Sequence, residues 1–219
     1  HQDGSSHLVA ATIPNCKAYD PAFAGELAVI LDRGMREMLI KQQDVFYYIT
    51  VMNENHAQAD VPASVHADLL KGCYRFAPAP AQLKPKAPTV TLMGSGAILT
   101  EVIQAARQLA EQGIGSDVIS VTSWSELARD GMACEQAWLD GAADKPRPFL
   151  AELLAGEGYE VLQAGNGKEA YEIALKSPVD MVLSDIRMPE MDGITLLGHL
   201  RKLAPQTPVI MITAYGTVE

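Results

Sequence analysis

The sequence predicts an α/β protein with mostly parallel strands, and three observations indicate this fold class. Residues 89–124 contain a strand, a helix and a second strand in that order, which is the pattern of a parallel βαβ unit. Residues 148–219 continue with helices and strands in regular alternation. Two of these strands, at 179–185 and 208–214, are short apolar runs of the kind that parallel sheets bury on both faces.

Composition agrees with a folded, globular chain. The 219 residues correspond to one or two domains, and the 48% hydrophobic and 20% charged residues are near the globular average. The net charge is −10, from 17 Lys and Arg against 27 Asp and Glu, and such a surface repels phosphate backbones. We therefore expect no direct nucleic-acid partner. The apolar runs are far shorter than the roughly 18 residues that cross a bilayer, so we expect no membrane partner.

The cysteine content indicates a reducing compartment. Cys16, Cys73 and Cys134 are odd in number and form no CxxC pair, which argues against a disulfide framework. We expect free thiols packed as small apolar groups, and a cytoplasmic location. No HExxH motif or His/Cys cluster in the sequence indicates zinc. The chain begins at His1 without Met or a signal peptide, so we expect it to start inside a longer gene.

The first segment, residues 1–76, is predicted to contain a helix, a strand and a short helix. Asp20 is followed by proline, which predicts a helix start with the carboxylate as N-cap. Aromatic and β-branched residues predict a strand at 45–52. The short helix is predicted with Ser64 as its cap and Gly72 just past its end.

A linker and a βαβ unit are predicted to follow. Residues 77–88 contain prolines at four positions, which favour an extended conformation and predict a linker. A strand at 89–93, a helix at 97–113 and a strand at 117–124 come next. Residues 125–147 show little apolar periodicity, so no element is predicted there.

The GSG sequence at 94–96 follows a strand and opens a helix, as a dinucleotide-binding loop does. The third glycine of the GxGxxG pattern is absent, because that position is Leu99. We therefore favour a tight structural turn over a nucleotide site.

The last segment, residues 148–219, is predicted to alternate between helices and strands. The predicted elements are, in order, a helix at 149–156, a strand at 159–164, a helix at 168–177, a strand at 179–185, a helix at 194–203 and a strand at 208–215.

Several consecutive motifs in residues 1–147 carry a resemblance. They are HQDGSSHLVAATIPNCKAYDPAFAGELAVIL, FYYITVMNENHAQADVP, LMGSGAILTEV and SDVISVTSWSELARDGMACE. Together they resemble the decarboxylating first component of the homodimeric bacterial pyruvate dehydrogenase, a transketolase-like enzyme of the thiamine diphosphate family. The resemblance implies that residues 1–76 end a pyrimidine-binding domain, that 77–88 are a linker and that 89–147 start a transketolase C-terminal domain.

The resemblance implies an enzyme by descent. Its family decarboxylates pyruvate with thiamine diphosphate and Mg²⁺, passes the acetyl group to the lipoyl domain of dihydrolipoyl acetyltransferase, and works as a homodimer. His1, in HQDG, matches the family's HEDG-type histidine, which contacts the substrate or the charge on the cofactor intermediate. The alternative is a solvated terminal residue. The family's cofactor-activating Glu and its GDG-type Mg²⁺ motif fall outside this sequence, so we expect this polypeptide to be inactive alone.

The word SDIRMPEMDG and its surroundings, within residues 148–219, carry a second resemblance. They resemble a flavodoxin-like receiver domain of two-component response regulators, of the nitrogen-regulatory activator type. The resemblance implies that a histidine kinase phosphorylates Asp185, and that Thr213 is the switch hydroxyl. It also implies that Asp185 and the main-chain carbonyl of Arg187 are Mg²⁺ ligands. The alternative for Asp185 is a cap of the following turn.

The receiver is expected to be truncated. The family's first strand with its acidic pair, and the Lys after its last strand, have no counterpart, so we expect Asp185 to be phosphorylated poorly. One replacement is conceivable: residues 117–124 would pair beside 179–185 in the vacant central place. Glu126 would then lie near the strand end as a substitute carboxylate for Mg²⁺.

The fold class is thus fragments of transketolase-like parallel α/β domains followed by a truncated flavodoxin-like receiver. Both resemblances include residues 150–156, and we hypothesise that the chain was joined through this segment by recombination or by sequence assembly. Three functions stay open. They are an enzyme fragment, a phosphoacceptor module, and a joined chain that does neither and folds only in part.

Overall fold

The computed structural model describes residues 5–53, 55–77, 89–142, 144, 146–156, 160–185 and 188–212. The chain divides into two compact units, residues 1–153 and 154–219. Each unit is described by itself below.

Helices and strands alternate through the first unit. In chain order they are α1 (Ser6–Ala11), β1 (Cys16–Tyr19), α2 (Ala24–Met35), a π-helical extension (Arg36–Ile40), β2 (Phe46–Ile49), a 3₁₀ turn (Ala63–Val65), α3 (His66–Lys71), β3 (Cys73–Ala77), β4 (Thr89–Gly94), α4 (Ile98–Glu111), β5 (Gly115–Val121), α5 (Trp124–Leu139) and α6 (Phe149–Gly156), whose last residues extend past the division between the units.

The strands of the first unit form two sheets. β1 pairs in parallel with β2, with Cys16 opposite Phe46. In the second sheet β5 lies between β3, its antiparallel neighbour, and β4, its parallel neighbour. The parallel β4–α4–β5 arrangement confirms the predicted βαβ unit. Because both edges of β5 are paired inside this unit, the predicted pairing of 117–124 beside 179–185 is wrong.

The start of α2 differs from the prediction. The helix begins at Ala24, so Asp20 is not its N-cap. Instead the Glu26 carboxylate accepts the main-chain N–H groups of Ala22 and Phe23 at 2.6 and 3.2 Å. Phe23 has no side-chain acceptor, so only the glutamate half of a capping box is present. Asp20 does not cap the helix, because its carboxyl group accepts hydrogen bonds from the hydroxyls of Thr50, which follows β2, and Ser95, which follows β4.

Helix α5 was not predicted, although it covers Trp124–Leu139. Its apolar face is narrow, because Leu127 and Cys134 are its buried residues, so the sequence shows little periodicity. Its start is fixed by Ser123, whose hydroxyl accepts the N–H of Glu126 at 3.1 Å.

Three smaller predictions in the first unit have mixed outcomes. The strand predicted at 45–52 is the shorter β2, and Ser64 lies inside the 3₁₀ turn rather than capping a helix. Gly72 ends α3 with a φ of +120°, as predicted. Ala77 belongs to β3, and residues 78–88 of the predicted linker lie outside the described residues.

The core of the first unit is built from residues that are far apart in the sequence. One cluster packs Tyr19 and Ile30 against Leu69 and Tyr74. A second cluster packs Phe23 and Ala22 against Leu99 and Val118. Leu99, the residue that breaks the GxGxxG pattern, is fully buried there. Apolar burial of this kind is the main stabilising contribution to a fold.

The second unit has a parallel pair of strands and two helices among its described residues. They are α7 (Gly167–Lys176), β6 (Val182–Asp185), α8 (Gly193–Leu203) and β7 (Val209–Ile212). β6 and β7 pair in parallel, with Val182 opposite Val209. The rings of Tyr171 on α7 and His199 on α8 lie 5.0 Å apart.

Two predictions for the second unit are wrong. Residues 160–164 of the predicted strand at 159–164 form no strand. The strand 179–185 is not buried on both faces, since Leu183 is 40% exposed and Met181 is 49% exposed. For the strand 208–214, the burial of residues 210–214 lies outside what the structure describes. The reason is that this sheet has two strands in the described part of the chain, too few to be covered on both faces.

Candidate functional site

The residues predicted for function are only partly described. His1, Arg187 and Thr213 lie outside the described residues. Asp185 is the last residue of β6, and its register partner in β7 is Ile212, the residue before Thr213 in the sequence. Parallel strands bring their carboxyl ends to one edge of the sheet, where open α/β sheets bind ligands. The main chain of Asp185 therefore lies at the edge where a phosphoacceptor is expected.

Residues 188–192, in the loop between β6 and α8, contact both α7 and α8. Asp192 Oδ1 accepts the N–H of Thr195 at 2.7 Å and caps α8, and this bond lowers the pKa of the Asp192 carboxyl. A Cβ on Gly167, at the start of α7, would overlap the carbonyl oxygen of Met191. Glycine at 167 therefore allows the loop to pack closely against α7.

Glu126 has a partner inside the first unit. Its Oε1 accepts a hydrogen bond from Arg129 Nη1 at 2.7 Å, and Arg129 Nη2 donates to the carbonyl of Ile13 at 3.0 Å. The prediction that Glu126 serves as a substitute Mg²⁺ ligand depended on pairing β5 beside 179–185, which the structure does not have. Its observed contact is an ion pair within α5, and the arginine of that pair also connects α5 to the main chain at Ile13.

Three polar residues that follow strands of the first unit, together with His7 on α1, form what we call the strand-end cluster: His7, Asp20, Thr50 and Ser95. Asp20 follows β1, Thr50 follows β2 and Ser95 follows β4. Thr50 donates its hydroxyl to Asp20 Oδ1, and Ser95 donates to Asp20 Oδ2 at 2.9 Å. His7 Nε2 lies 3.1 Å from Thr50 Oγ1. This contact links α1 to the end of β2.

Main-chain bonds reinforce this cluster. The N–H of Asp20 donates to the carbonyl of Thr122 at 2.7 Å, and the N–H of Gly96 donates to the carbonyl of Asp20 at 3.0 Å. Gly96 has a φ of +49°, and a Cβ there would overlap the Asp20 carboxyl oxygens. The GSG sequence is thus a tight structural turn, as expected.

Sequence reasoning missed the strand-end cluster because it assigned Asp20 to a helix cap. Asp-Pro is a common helix start, and the partners of Asp20 are 30 and 75 residues away. The sequence carried no local signal for this cluster, because β1 was not among the predicted strands and Thr50 lies inside the strand predicted at 45–52.

The described residues do not supply a metal centre. Among them, no group of three or more His, Cys, Asp or Glu side chains is placed to hold a metal ion. Hard cations such as Mg²⁺ need several oxygen ligands in fixed geometry. The described residues therefore do not fit an Mg²⁺–diphosphate site on their own. In the same part of the chain, no helix has the length and apolar character that crossing a membrane requires.

Three family models match the chain. The pyruvate dehydrogenase E1 component middle domain matches residues 1–59, and the transketolase-like C-terminal domain matches residues 72–169. The response regulator receiver domain matches residues 143–219. The last two matches overlap over residues 143–169, which include the segment 150–156 shared by both resemblances.

Curated relatives match more than two thirds of the chain. The pyruvate dehydrogenase E1 component of Pseudomonas aeruginosa is 45% identical over 173 residues, which are 78% of this chain and 19% of the relative. The enzyme of Escherichia coli K12 is 43% identical over 157 residues, 70% of this chain and 17% of the relative. The chain thus spans less than a fifth of the length of these relatives.

A solved transketolase from Pichia stipitis, a mutant in complex with fructose 6-phosphate, is similar to 57% of this chain and 17% of its own chain. Its sequence identity is 18% and its TM-score is 0.43. From the family models and curated relatives, the chain joins a segment similar to the middle and C-terminal domains of pyruvate dehydrogenase E1 components to a segment that matches response-regulator receiver domains.

Proposed function

We propose that residues 1–147 derive from a pyruvate dehydrogenase E1 component. That enzyme decarboxylates pyruvate with thiamine diphosphate and acetylates the lipoyl domain of dihydrolipoyl acetyltransferase, as a homodimer. The 45% identity over 173 residues carries this proposal. The proposal includes residues 1–76 as the end of a pyrimidine-binding domain, 77–88 as a linker and 89–147 as the start of a transketolase C-terminal domain. It also includes the active-site role of His1. A cytoplasmic location is part of it, and the three free, buried cysteines support it.

We further propose that this polypeptide does not bind thiamine diphosphate by itself. Calorimetric titration with thiamine diphosphate and Mg²⁺ is expected to show no binding heat, because the described residues offer no group of ligands for the cation. The whole E1 component of Escherichia coli serves as the positive control. Micromolar, Mg²⁺-dependent binding to this chain would contradict the proposal.

A second candidate function concerns residues 148–219, for which we propose a phosphoacceptor receiver module of the nitrogen-regulatory type. The observation that favours this role is that Asp185 is the last residue of β6, at the carboxyl end of the parallel pair of β6 and β7. The loop that follows leads into α8, whose first turn is capped by Asp192. A carboxylate oxygen of Asp185 would attack the phosphorus of a kinase phosphohistidine, the P–N bond would break and the imidazole would leave. Thr213 would bind the phosphoryl group. Asp185 and the carbonyl of Arg187 would be the residues that hold Mg²⁺.

Phosphorylation by acetyl phosphate with Mg²⁺ tests this module. We expect intact-mass spectrometry to show a fractional gain of one phosphoryl group, because the described residues provide no complete cation site. The gain should disappear in Asp185→Asn. It should persist in the matched control Asp180→Asn, which changes an exposed aspartate. A gain that survives in Asp185→Asn would exclude this role.

The overlap of the two family models over residues 143–169 supports our proposal that the segments were joined through 150–156. This segment lies within α6, whereas natural fusions usually join whole domains at exposed linkers. A contiguous long DNA read across codons 140–165 with intact flanking genes would count against an assembly artefact.

A further inference from the structure

Residues 1–59 match the pyruvate dehydrogenase E1 middle-domain model, and residues 72–169 match the transketolase-like C-terminal model. In the first unit, residues of both segments pack into the same apolar clusters. We propose that residues 1–59 and 72–153 form one cooperative folding unit, with Asp20 and Glu26 as the polar links between them. The boundary between the two matched family models then does not separate two independently folding units. This inference goes beyond the proposed function, and it does not depend on either activity.

Asp20 provides the link at the strand ends. Three of its hydrogen bonds reach the second segment: to the Ser95 hydroxyl at 2.9 Å, to the Gly96 N–H at 3.0 Å and to the Thr122 carbonyl at 2.7 Å. Thr50 and, through it, His7 attach β2 and α1 to the same carboxyl group. Loss of the Asp20 side chain therefore removes a bond to Ser95 in the second segment and a bond to Thr50 in the first, while the two main-chain bonds remain.

Glu26 provides the link in the interior. It is fully buried, and its Oε1 accepts the hydroxyls of Tyr74 and Ser120 at 2.8 and 2.6 Å. Both donors belong to the second segment. Apolar packing crosses the same boundary, since Phe23 of the first segment contacts the cluster of Leu99 and Val118. Separating the segments would break these hydrogen bonds and expose the apolar surface of both halves of this core to water.

The three cysteines are natural probes of both segments. Cys16 is 1% exposed in the first segment, and Cys73 and Cys134 are 0% and 7% exposed in the second. Burial raises the pKa of all three thiols, that of Cys73 to about 12. Folded molecules should thus be protected from thiol reagents, and labelling of each cysteine reports the opening of its own surroundings.

The experiment is pulsed thiol labelling of the full chain across a urea series, with each cysteine followed by peptide mass spectrometry. We expect Cys16, Cys73 and Cys134 to become labelled at the same urea midpoint. In Asp20→Ala all three midpoints should fall together, by about 1 M urea. The control Asp44→Ala removes only a hydrogen bond of 3.2 Å with Asn15 inside the first segment and should shift none of them.

Ser95→Ala keeps the test decisive if Asp20→Ala does not fold. This change lies in the second segment, yet it should lower the midpoint of Cys16 as much as that of Cys73. Labelling of Cys16 at lower urea than Cys73 and Cys134 in the native chain would overturn the proposal. A shift confined to the cysteine of the altered segment would also overturn it.

Discussion

Replacing Glu26 by alanine should lower the free energy of unfolding of the first unit by about 3–5 kcal/mol, a large part of the stability of an ordinary domain. The carboxylate of Glu26 accepts four hydrogen bonds inside the core. Alanine would leave two main-chain N–H groups and two hydroxyls without their acceptor. Buried donors that lose an acceptor each cost about 1–3 kcal/mol, and neighbouring losses are not additive.

Urea unfolding monitored by tryptophan fluorescence measures this effect, because both tryptophans, Trp124 and Trp138, belong to the first unit. The control Glu101→Ala removes an exposed glutamate from the first turn of α4 and should change stability by less than about 0.5 kcal/mol. Tyr74→Phe and Ser120→Ala each remove one donor and should cost less than Glu26→Ala. A Glu26→Ala chain as stable as Glu101→Ala would show that the buried carboxylate is not a structural link.

Replacing Gly72 by alanine is expected to lower the free energy of unfolding by about 2–4 kcal/mol. The residue has a φ of +120°, and a Cβ would lie 2.5 Å from the carbonyl oxygen of Ser123 and 2.8 Å from Leu127 Cγ. The carbonyl of Gly72 also accepts the N–H groups of Thr122 and Ser123 at 2.8 and 3.0 Å. The main chain at Gly72 therefore cannot move away from the clash without breaking these hydrogen bonds, which connect the end of α3 to the end of β5.

Two glycine controls separate the causes of this effect in the same fluorescence assay. Gly113 also has a positive φ, +80°, but nothing lies within 4 Å of a Cβ there, so Gly113→Ala should lose only about 1 kcal/mol. Gly131 lies in α5 with open space around it, and Gly131→Ala should gain about 0.5–1 kcal/mol. Equal losses at positions 72 and 113 would mean that crowding by Ser123 and Leu127 is unimportant.

Local patterns explain which elements were predictable. The parallel β4–α4–β5 unit was predicted because apolar spacing changes from one period to another within a short stretch. The position of Asp185 at a strand end was predicted for the same reason, with the motif after it. Helix α5 was missed because its apolar face is narrow, and the strand at 159–164 was predicted although the described residues of that stretch form none.

Polar residues near strand ends were the main source of error. Asp20 before a proline has the local pattern of a helix cap, but its carboxyl group binds Thr50 and Ser95 instead. A cap satisfies N–H groups a few residues ahead, so it can be proposed from neighbours in the sequence. A bond to a residue 75 positions away depends on which strand ends the fold brings together.

The sequence by itself determined the order of most elements and the two families that the chain resembles, because periodicity and motif words are local properties. Only the tertiary structure decided that Glu26 meets Ser120, 94 residues later, and that β5 is paired on both edges. It thereby removed the basis for Glu126 as a receiver ligand. The physical reason is that buried polar groups and strand edges must find partners, and the packed fold alone determines which partners lie within reach.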